Sequence, residues 1–288
     1  MTFDERTLAR MATGVENRDP QALAILGTLA SGHARIVGIT GSPGAGKSTL
    51  VDALATAIRR EGKTVAIIAV DPTSALSGGA ILGDRIRMQQ HYADTGIFIR
   101  SMATRGSLGG LAQATTDLVR LMDAAGKDYV LIETVGVGQA EIAIASLAQV
   151  TVVVLVPGMG DDVQTIKAGI LEIADIFAIN KADQPGADRV EVELHTNDVT
   201  RPIVKTVATT GHGVDKLLEA IRTAATRPHP ATAHPVPLRV TNLQEAIAVL
   251  QSAGAQIQTN CGGRVVIQPP PGVCLELIEE KGTPKADS

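Results

Sequence analysis

The chain has 288 residues, a formal net charge of −4, 2% aromatic residues, no Trp and three Phe. That length allows one large domain and a smaller one, and so few aromatics leave Val, Ile, Leu and Ala to build the core, which suits a parallel sheet covered by helices on both faces. The charge excludes a basic face for nucleic acid and a polybasic membrane anchor; with no run of about 18 apolar residues and no signal-like start at Met1-Thr2-Phe3-Asp4-Glu5-Arg6, a cytoplasmic protein is expected.

Leu8, Met11, Ala12 and Val15, then Ala22, Leu23, Ile25 and Leu26, recur at helical spacing on either side of Asn17-Arg18-Asp19-Pro20, predicting a two-helix extension over residues 1–34. The apolar run Ile36-Val37-Gly38-Ile39 reads as a buried strand. Behind it stands Gly41-Ser42-Pro43-Gly44-Ala45-Gly46-Lys47-Ser48-Thr49, followed by Leu50, Val51, Leu54 and Ile58 on one helix face. Strand, G-x-x-x-x-G-K-[ST] and helix in this order form a phosphate loop. Its glycines let backbone N–H groups turn onto phosphate oxygens, the helix start adds partial positive charge, Lys47 adds a full one, and Ser48 is left to hold magnesium.

Val65 to Val70 is a second buried strand, ending in Asp71-Pro72 where ligands gather in open parallel sheets; the loop after it carries Gly83-Asp84-Arg85. A short strand over 96–100, a loop over 101–110 and a helix over 111–125 follow. Tyr129 to Ile132 is the next strand, and its tip is Glu133-Thr134-Val135-Gly136, an acid placed to hold magnesium or its waters with a glycine N–H near the γ-phosphate. Val150 to Val156 is the most apolar strand, leading through Pro157 to Asp162 into a helix with Gln164 and Lys167.

Strand Ile176 to Ile179 ends in Asn180-Lys181-Ala182-Asp183. An Asp carboxylate accepts from both the ring N–H and the exocyclic amine of guanine, and adenine offers no such pair. Asn180 and the stem of Lys181 steady that loop and cover the base. Strand 203–207 then runs into Ala208, whose N–H is placed near the guanine carbonyl, and a helix over 214–225 closes the series. Residues 35–227 therefore alternate strand and helix, predicting an α/β, doubly wound, mostly parallel sheet that binds GTP or GDP with Mg2+.

From about residue 5 to 225 the chain resembles the MeaB/ArgK branch of metallochaperone-type P-loop GTPases, which attend adenosylcobalamin-dependent acyl-CoA mutases. The likeness runs through Leu8-Ala9-Arg10, the phosphate loop, Val70-Asp71-Pro72-Thr73-Ser74, residues 78–88, Ser107-Leu108-Gly109-Gly110, Glu133 to Glu141 and the Asn180 tetrad. It implies that Lys47 and Ser48 meet phosphate and magnesium, that Asp71, Asp84 and Glu133 surround the metal, that Asn180 and Asp183 read guanine, and that 72–88, 133–141 and 157–167 are switches. Val137 stands where small signalling GTPases carry a water-orienting glutamine, so slow intrinsic hydrolysis is expected. A small-molecule kinase and a nickel-insertion GTPase are the other readings of such a phosphate loop.

Pro228, Pro230, Pro235 and Pro237 mark a linker over 228–237. Beyond it, 238–281 reads as strand, helix, strand, strand, with a tail over 282–288. This segment resembles the second half of methylmalonyl-CoA epimerase in the vicinal-oxygen-chelate superfamily, through Leu243 to Ile247, Gly262 to Val265 and Pro271 to Leu277. The resemblance places Glu276 at a metal position, leaves the other half of the site missing, and implies pairing, hence a homodimer. Cys261 and Cys274 read as packing residues.

Overall fold

Asp4 starts the first helix: its carboxylate accepts from the Thr7 N–H at 2.8 Å, and α1 (Glu5–Glu16) follows. Asp19 accepts from Gln21 N at 2.8 Å in the same way, with Pro20 opening α2 (Pro20–Thr28). The structure, a computed structural model, describes residues 3–71, 94–103, 108–134, 147–158, 172–197, 199–227, 236–240, 242–252, 256–261, 264–268 and 275–279. It divides into two compact units, Met1–Pro230 and Ala231–Ser288.

In the first unit the elements after α2 are β1 (Arg35–Gly41), α3 (Lys47–Arg60), β2 (Val65–Asp71), β3 (Ile97–Ala103), α4 (Leu108–Ala124), β4 (Tyr129–Thr134), β5 (Val150–Leu155), β6 (Ile176–Ile179), α5 (Ala187–Thr196), β7 (Ile203–Lys205) and α6 (Val214–Thr223). The strands form a seven-stranded sheet in the order β3-β2-β4-β1-β5-β6-β7, parallel throughout. Both faces are covered, which explains why β4 and β5 are buried at every position and read as unbroken apolar runs. On one face Leu50, Leu54 and Ile58 of α3 and Leu217 and Ile221 of α6 pack on Val37, Ile39, Ile67, Leu131 and Val152. On the other, Leu8 and Val15 of α1, Leu26 of α2 and Leu118 and Met122 of α4 pack on Ile36, Ile68, Val130 and Ile132. Complete burial of each such side chain is worth about 1.5–3 kcal/mol. Among the described residues no helix is long and apolar enough to cross a membrane.

Asp123, fully buried in α4, accepts from Gly32 N at 2.7 Å and Ala34 N at 2.9 Å, so the N-terminal helices enter β1 at a defined angle. The sheet's boundaries differ in places from the sequence reading. The third strand runs on to Ala103 because its backbone pairs with β2 as far as Asp71, whereas the polar Arg100-Ser101 suggests a loop from residue 101.

The second unit holds β8 (Val236–Val240), α7 (Leu243–Ser252), β9 (Gln256–Cys261), β10 (Arg264–Gln268) and β11 (Leu275–Glu279). Their sheet has the order β8-β11-β10-β9, with β8 parallel to β11 and the other pairs antiparallel. The expected strand, helix, strand, strand is therefore one strand short. Gln256-Ile257-Gln258-Thr259-Asn260-Cys261 carries too little apolar periodicity to read as a strand, and pairing with β10 makes it one.

Candidate functional site

The carboxyl ends of β1, β4, β6 and β7 bring the predicted site residues together. Gly41 ends β1 at φ +139°, and a Cβ there would lie 2.3 Å from the carbonyl oxygen of Val154, so only glycine lets the strand tip lie against β5. The chain then turns through Ser42 to Gly46 into α3. Gly46 occupies the helix cap in the left-handed conformation, and no side chain caps the helix start. The N–H groups of that first turn are therefore open to an anion, with the helix dipole behind them.

The carbonyls of the same loop are held by side-chain donors. Lys47 Nζ donates to Gly41 O at 2.7 Å and Ser42 O at 3.0 Å, Lys181 Nζ to Gly44 O at 3.0 Å, and Asn180 Nδ2 to Ala45 O at 2.9 Å. Within the loop the Ala45 N–H is donated to Ser42 O at 3.2 Å, and with the carbonyls of Gly41, Ser42, Gly44 and Ala45 held by side chains, the N–H groups that follow into α3 face an incoming phosphate. Lys47 itself is buried, at 6% exposure, so its charge acts in a poorly screened cleft.

Next to the lysine, Ser48 Oγ donates to Glu133 Oε1 at 2.5 Å, joining the first turn of α3 to the tip of β4. Glu133 is also buried, at 6% exposure. A hydroxyl and a carboxylate are the hard oxygen donors that Mg2+ takes, and the ion ordinarily fills its remaining positions with phosphate oxygens and water, so the pair fits the metal. Among the described residues no three His, Cys, Asp or Glu side chains gather into a metal site. Asp71 ends β2, where the backbone pairs it with Ala103; its side chain, all of Asp84 and Gly136, and most of the three predicted switch segments lie outside the described residues.

On the base side, Asn180 is 2% exposed and its amide oxygen accepts from Thr206 Oγ1 at 3.2 Å and from Ala208 N at 3.1 Å. Asn180 is thus a brace between loops, with both ends of its amide hydrogen-bonded to protein, and the Ala208 N–H, which the sequence aims at a guanine carbonyl, is donated here to Asn180 Oδ1. Asp183 is exposed at the loop's rim, with its carboxylate accessible to a base. Lys181 takes the left-handed φ of +53°, which turns its side chain back over the phosphate loop. Thr206, fully buried, belongs to the site although no sequence motif singles it out. The one signal it carries is a hydroxyl just past the end of the short strand Ile203–Lys205.

A family model described as "Methylmalonyl Co-A mutase-associated GTPase MeaB" matches residues 8–235. The chain belongs to the MeaB family of GTPases. It is 54% identical over 232 residues to a Pyrococcus horikoshii protein named as a GTPase, covering 76% of this chain and 73% of that one. It is also 41% identical over 198 residues to the GTPase ArgK of Escherichia coli, covering 67% of this chain and 60% of that one. Among solved structures, one described as a LAO/AO transport system kinase matches with a TM-score of 0.52 and 28% identity, over 77% of this chain and 76% of that one. The α/β P-loop fold, GTP binding and GTPase activity thus go with membership of the MeaB family. The family match stops at residue 235, so β8 to β11 and α7 lie beyond it.

Proposed function

We propose that this MeaB-family GTPase is a nucleotide-dependent chaperone that protects, loads or reactivates an adenosylcobalamin-dependent acyl-CoA mutase in the cytoplasm. The observation that carries the reading is the match of residues 8–235 to a family described by its association with methylmalonyl-CoA mutase, on a chain whose phosphate loop is preorganised by Lys47, Lys181 and Asn180.

In this reading the N–H groups of Gly44 and of Gly46 to Thr49 bind the β- and γ-phosphates, and Lys47 leaves its carbonyl partners to neutralise the charge that builds on the transferring oxygens. Ser48 and Glu133, with Asp71 and Asp84, are the residues that would hold Mg2+, which when bound offsets phosphate charge. Asp183 selects guanine by accepting from its two donors. Gly136 senses the γ-phosphate, and with Val137 in place of a glutamine the attacking water is left for Gln139, an acid of the 71–84 segment or a partner to orient. Intrinsic turnover is accordingly slow and the mutase raises it. The unit from Ala231 onward, with its resemblance to half a vicinal-oxygen-chelate domain, is the pairing module of a homodimer.

The test titrates candidate mutases into the full chain while following GTP hydrolysis and the cobalamin spectrum. Acceleration of hydrolysis, with cofactor retention governed by GTP and not by GDP, is expected; no change in either with any acyl-CoA mutase overturns the chaperone role. A phosphotransferase reading draws on the likeness to a solved structure described as a kinase, and release of inorganic phosphate from GTP in water alone decides against it.

A further inference from the structure

At the tips of β1 and β4 two threonines face each other in the sheet. Thr134 Oγ1 donates to Thr40 Oγ1 at 3.1 Å, and the two residues are 0% and 1% exposed. They stand one step beyond the paired Ile39 and Glu133, and on its other side Thr134 is paired with Val70 of β2. Strand residues alternate between faces. Val37, Ile39 and Leu131 pack on the α3 side, and Ile36, Val130 and Ile132 on the side of α1 and α4. Thr40 and Thr134 therefore fall on the α4 side, while Ser48 and Glu133 meet on the α3 side. The tip of β4 is held on both faces, to α3 by a hydroxyl–carboxylate pair above the sheet and to β1 by a hydroxyl–hydroxyl pair below it.

Two buried hydroxyls against an apolar layer cost desolvation that two valines would avoid, and one mutual hydrogen bond does little more than offset it. What the pair adds is direction. We propose that Thr40 and Thr134 are positioning residues for GTP hydrolysis: their hydrogen bond fixes the height of the β4 tip against the phosphate-loop strand, and so keeps the Glu133 carboxylate within reach of Ser48 and sets the start of the segment leading to Gly136. Without it, Glu133 is still present, but beyond the Ile39–Glu133 pairing the tip is steadied only by the pairing of Thr134 with Val70 on the β2 side. This inference rests on the reading of Ser48 and Glu133 as the magnesium donors.

The experiment uses the full chain with Thr40→Val, Thr134→Val, the double variant and Thr134→Ser. Thermal unfolding is measured together with release of a fluorescent GDP analogue at graded Mg2+ concentrations and in EDTA, and with kcat and KM for GTP. Either single valine leaves one hydroxyl without its partner and lowers Tm; the double valine variant recovers Tm, because both polar groups are gone. In the double variant the Mg2+ needed for half of its effect on release rises about five- to tenfold, the equilibrium worth of one net hydrogen bond, and kcat falls by a similar factor. KM and release in EDTA stay within about twofold, since the phosphate-binding N–H groups are untouched. Thr134→Ser keeps wild-type values. A folded double variant with the wild-type Mg2+ requirement overturns the proposal and leaves a purely structural pair; should the double variant fail to fold, the same comparison on Thr40→Val decides it. If Ser48→Ala shifts the Mg2+ requirement and the threonine variants do not, this inference fails alone. If Ser48→Ala does not shift it either, the magnesium reading fails and takes this one with it.

Discussion

Asn180 Nδ2 donates to the carbonyl of Ala45 at 2.9 Å, across 135 residues of chain, so the loop proposed to read the base also holds the loop proposed to bind the phosphates. The other end of the same amide accepts from Thr206 and Ala208. The two loops and the segment at Thr206 to Ala208 are thereby one mechanical unit. A side chain added at Gly46 would strike this brace, since its Cβ would stand 2.6 Å from Asn180 Nδ2.

Replacing Asn180 with Ala leaves the Ala45 carbonyl and the Ala208 N–H without this partner, and each orphaned buried group costs about 1–3 kcal/mol. Affinity for GTP and for GDP should fall together by at least about fivefold, the lower end of that cost for one such group, with a lower Tm. Titration with a fluorescent GDP analogue checks this, and binding within twofold of wild type would show that the brace is dispensable.

Ser48→Ala and Glu133→Gln act on one hydrogen-bonded pair, so their effects on hydrolysis should be non-additive. Turnover is expected to drop by about two orders of magnitude in either variant, as for loss of a preorganised charge-stabilising group, while GDP affinity changes far less. Single-turnover assays on both single variants and the double variant test it; additive losses would mean that the two residues act separately.

Asp183→Asn exchanges an acceptor for a donor at the rim of the base loop. The variant should lose GTP and gain xanthosine triphosphate, whose carbonyl replaces the guanine amine. Competition between the two nucleotides reads the switch directly, and unchanged preference for GTP would move base selection to another residue.

Asp128 ties the starts of β2 and β4 together, accepting from Thr64 N at 2.7 Å, Thr64 Oγ1 at 2.9 Å and Lys63 Nζ at 3.2 Å. Burial pushes its carboxyl up, but those donors together outweigh burial and hold it below its ordinary 3.8. A depressed folded-state value means that the ionised form stabilises the fold above pH 3.8 and that this contribution is lost as the pH falls below it. Acid unfolding of Asp128→Asn should thus be shallower below about pH 4 than that of wild type, from a lower plateau at neutral pH. Parallel acid limbs would assign the pH dependence to other carboxylates.

Arg227 closes the first unit, donating to Thr151 Oγ1 at 3.1 Å and Ile173 O at 3.0 Å and pairing with Asp175 at 2.9 Å. A chain ending at Pro230 keeps this clasp and should fold and bind GDP, whereas one ending at residue 226 should be less stable by several degrees in Tm, because the partly buried Asp175 loses its counter-charge. Light scattering on the 1–230 chain then tests whether self-association resides in the second unit; an unchanged assembly would place it in the first.

The phosphate loop, the tip acid Glu133 and the N-K-x-D tetrad were legible in the sequence because each is a short contiguous pattern whose chemistry follows from residue type and from the strand before it. Alternating apolar strands and amphipathic helices likewise announced the parallel sheet. Three things needed the tertiary structure. Asn180 reads from the sequence as steadying its own loop, but that its amide bridges Ala45 and Ala208 is a contact made across 135 residues, which no spacing along the chain reports. Thr40, Thr134 and Thr206 are ordinary strand-end threonines until the order β2-β4-β1 sets the first two side by side and the return of the chain after β7 sets the third against Asn180. And β9 is a strand only because β10 supplies its hydrogen bonds. Local patterns record what a residue can do. Which partner it does it with is decided by the order of strands in the sheet, because hydrogen bonds depend on distances that only the folded chain sets.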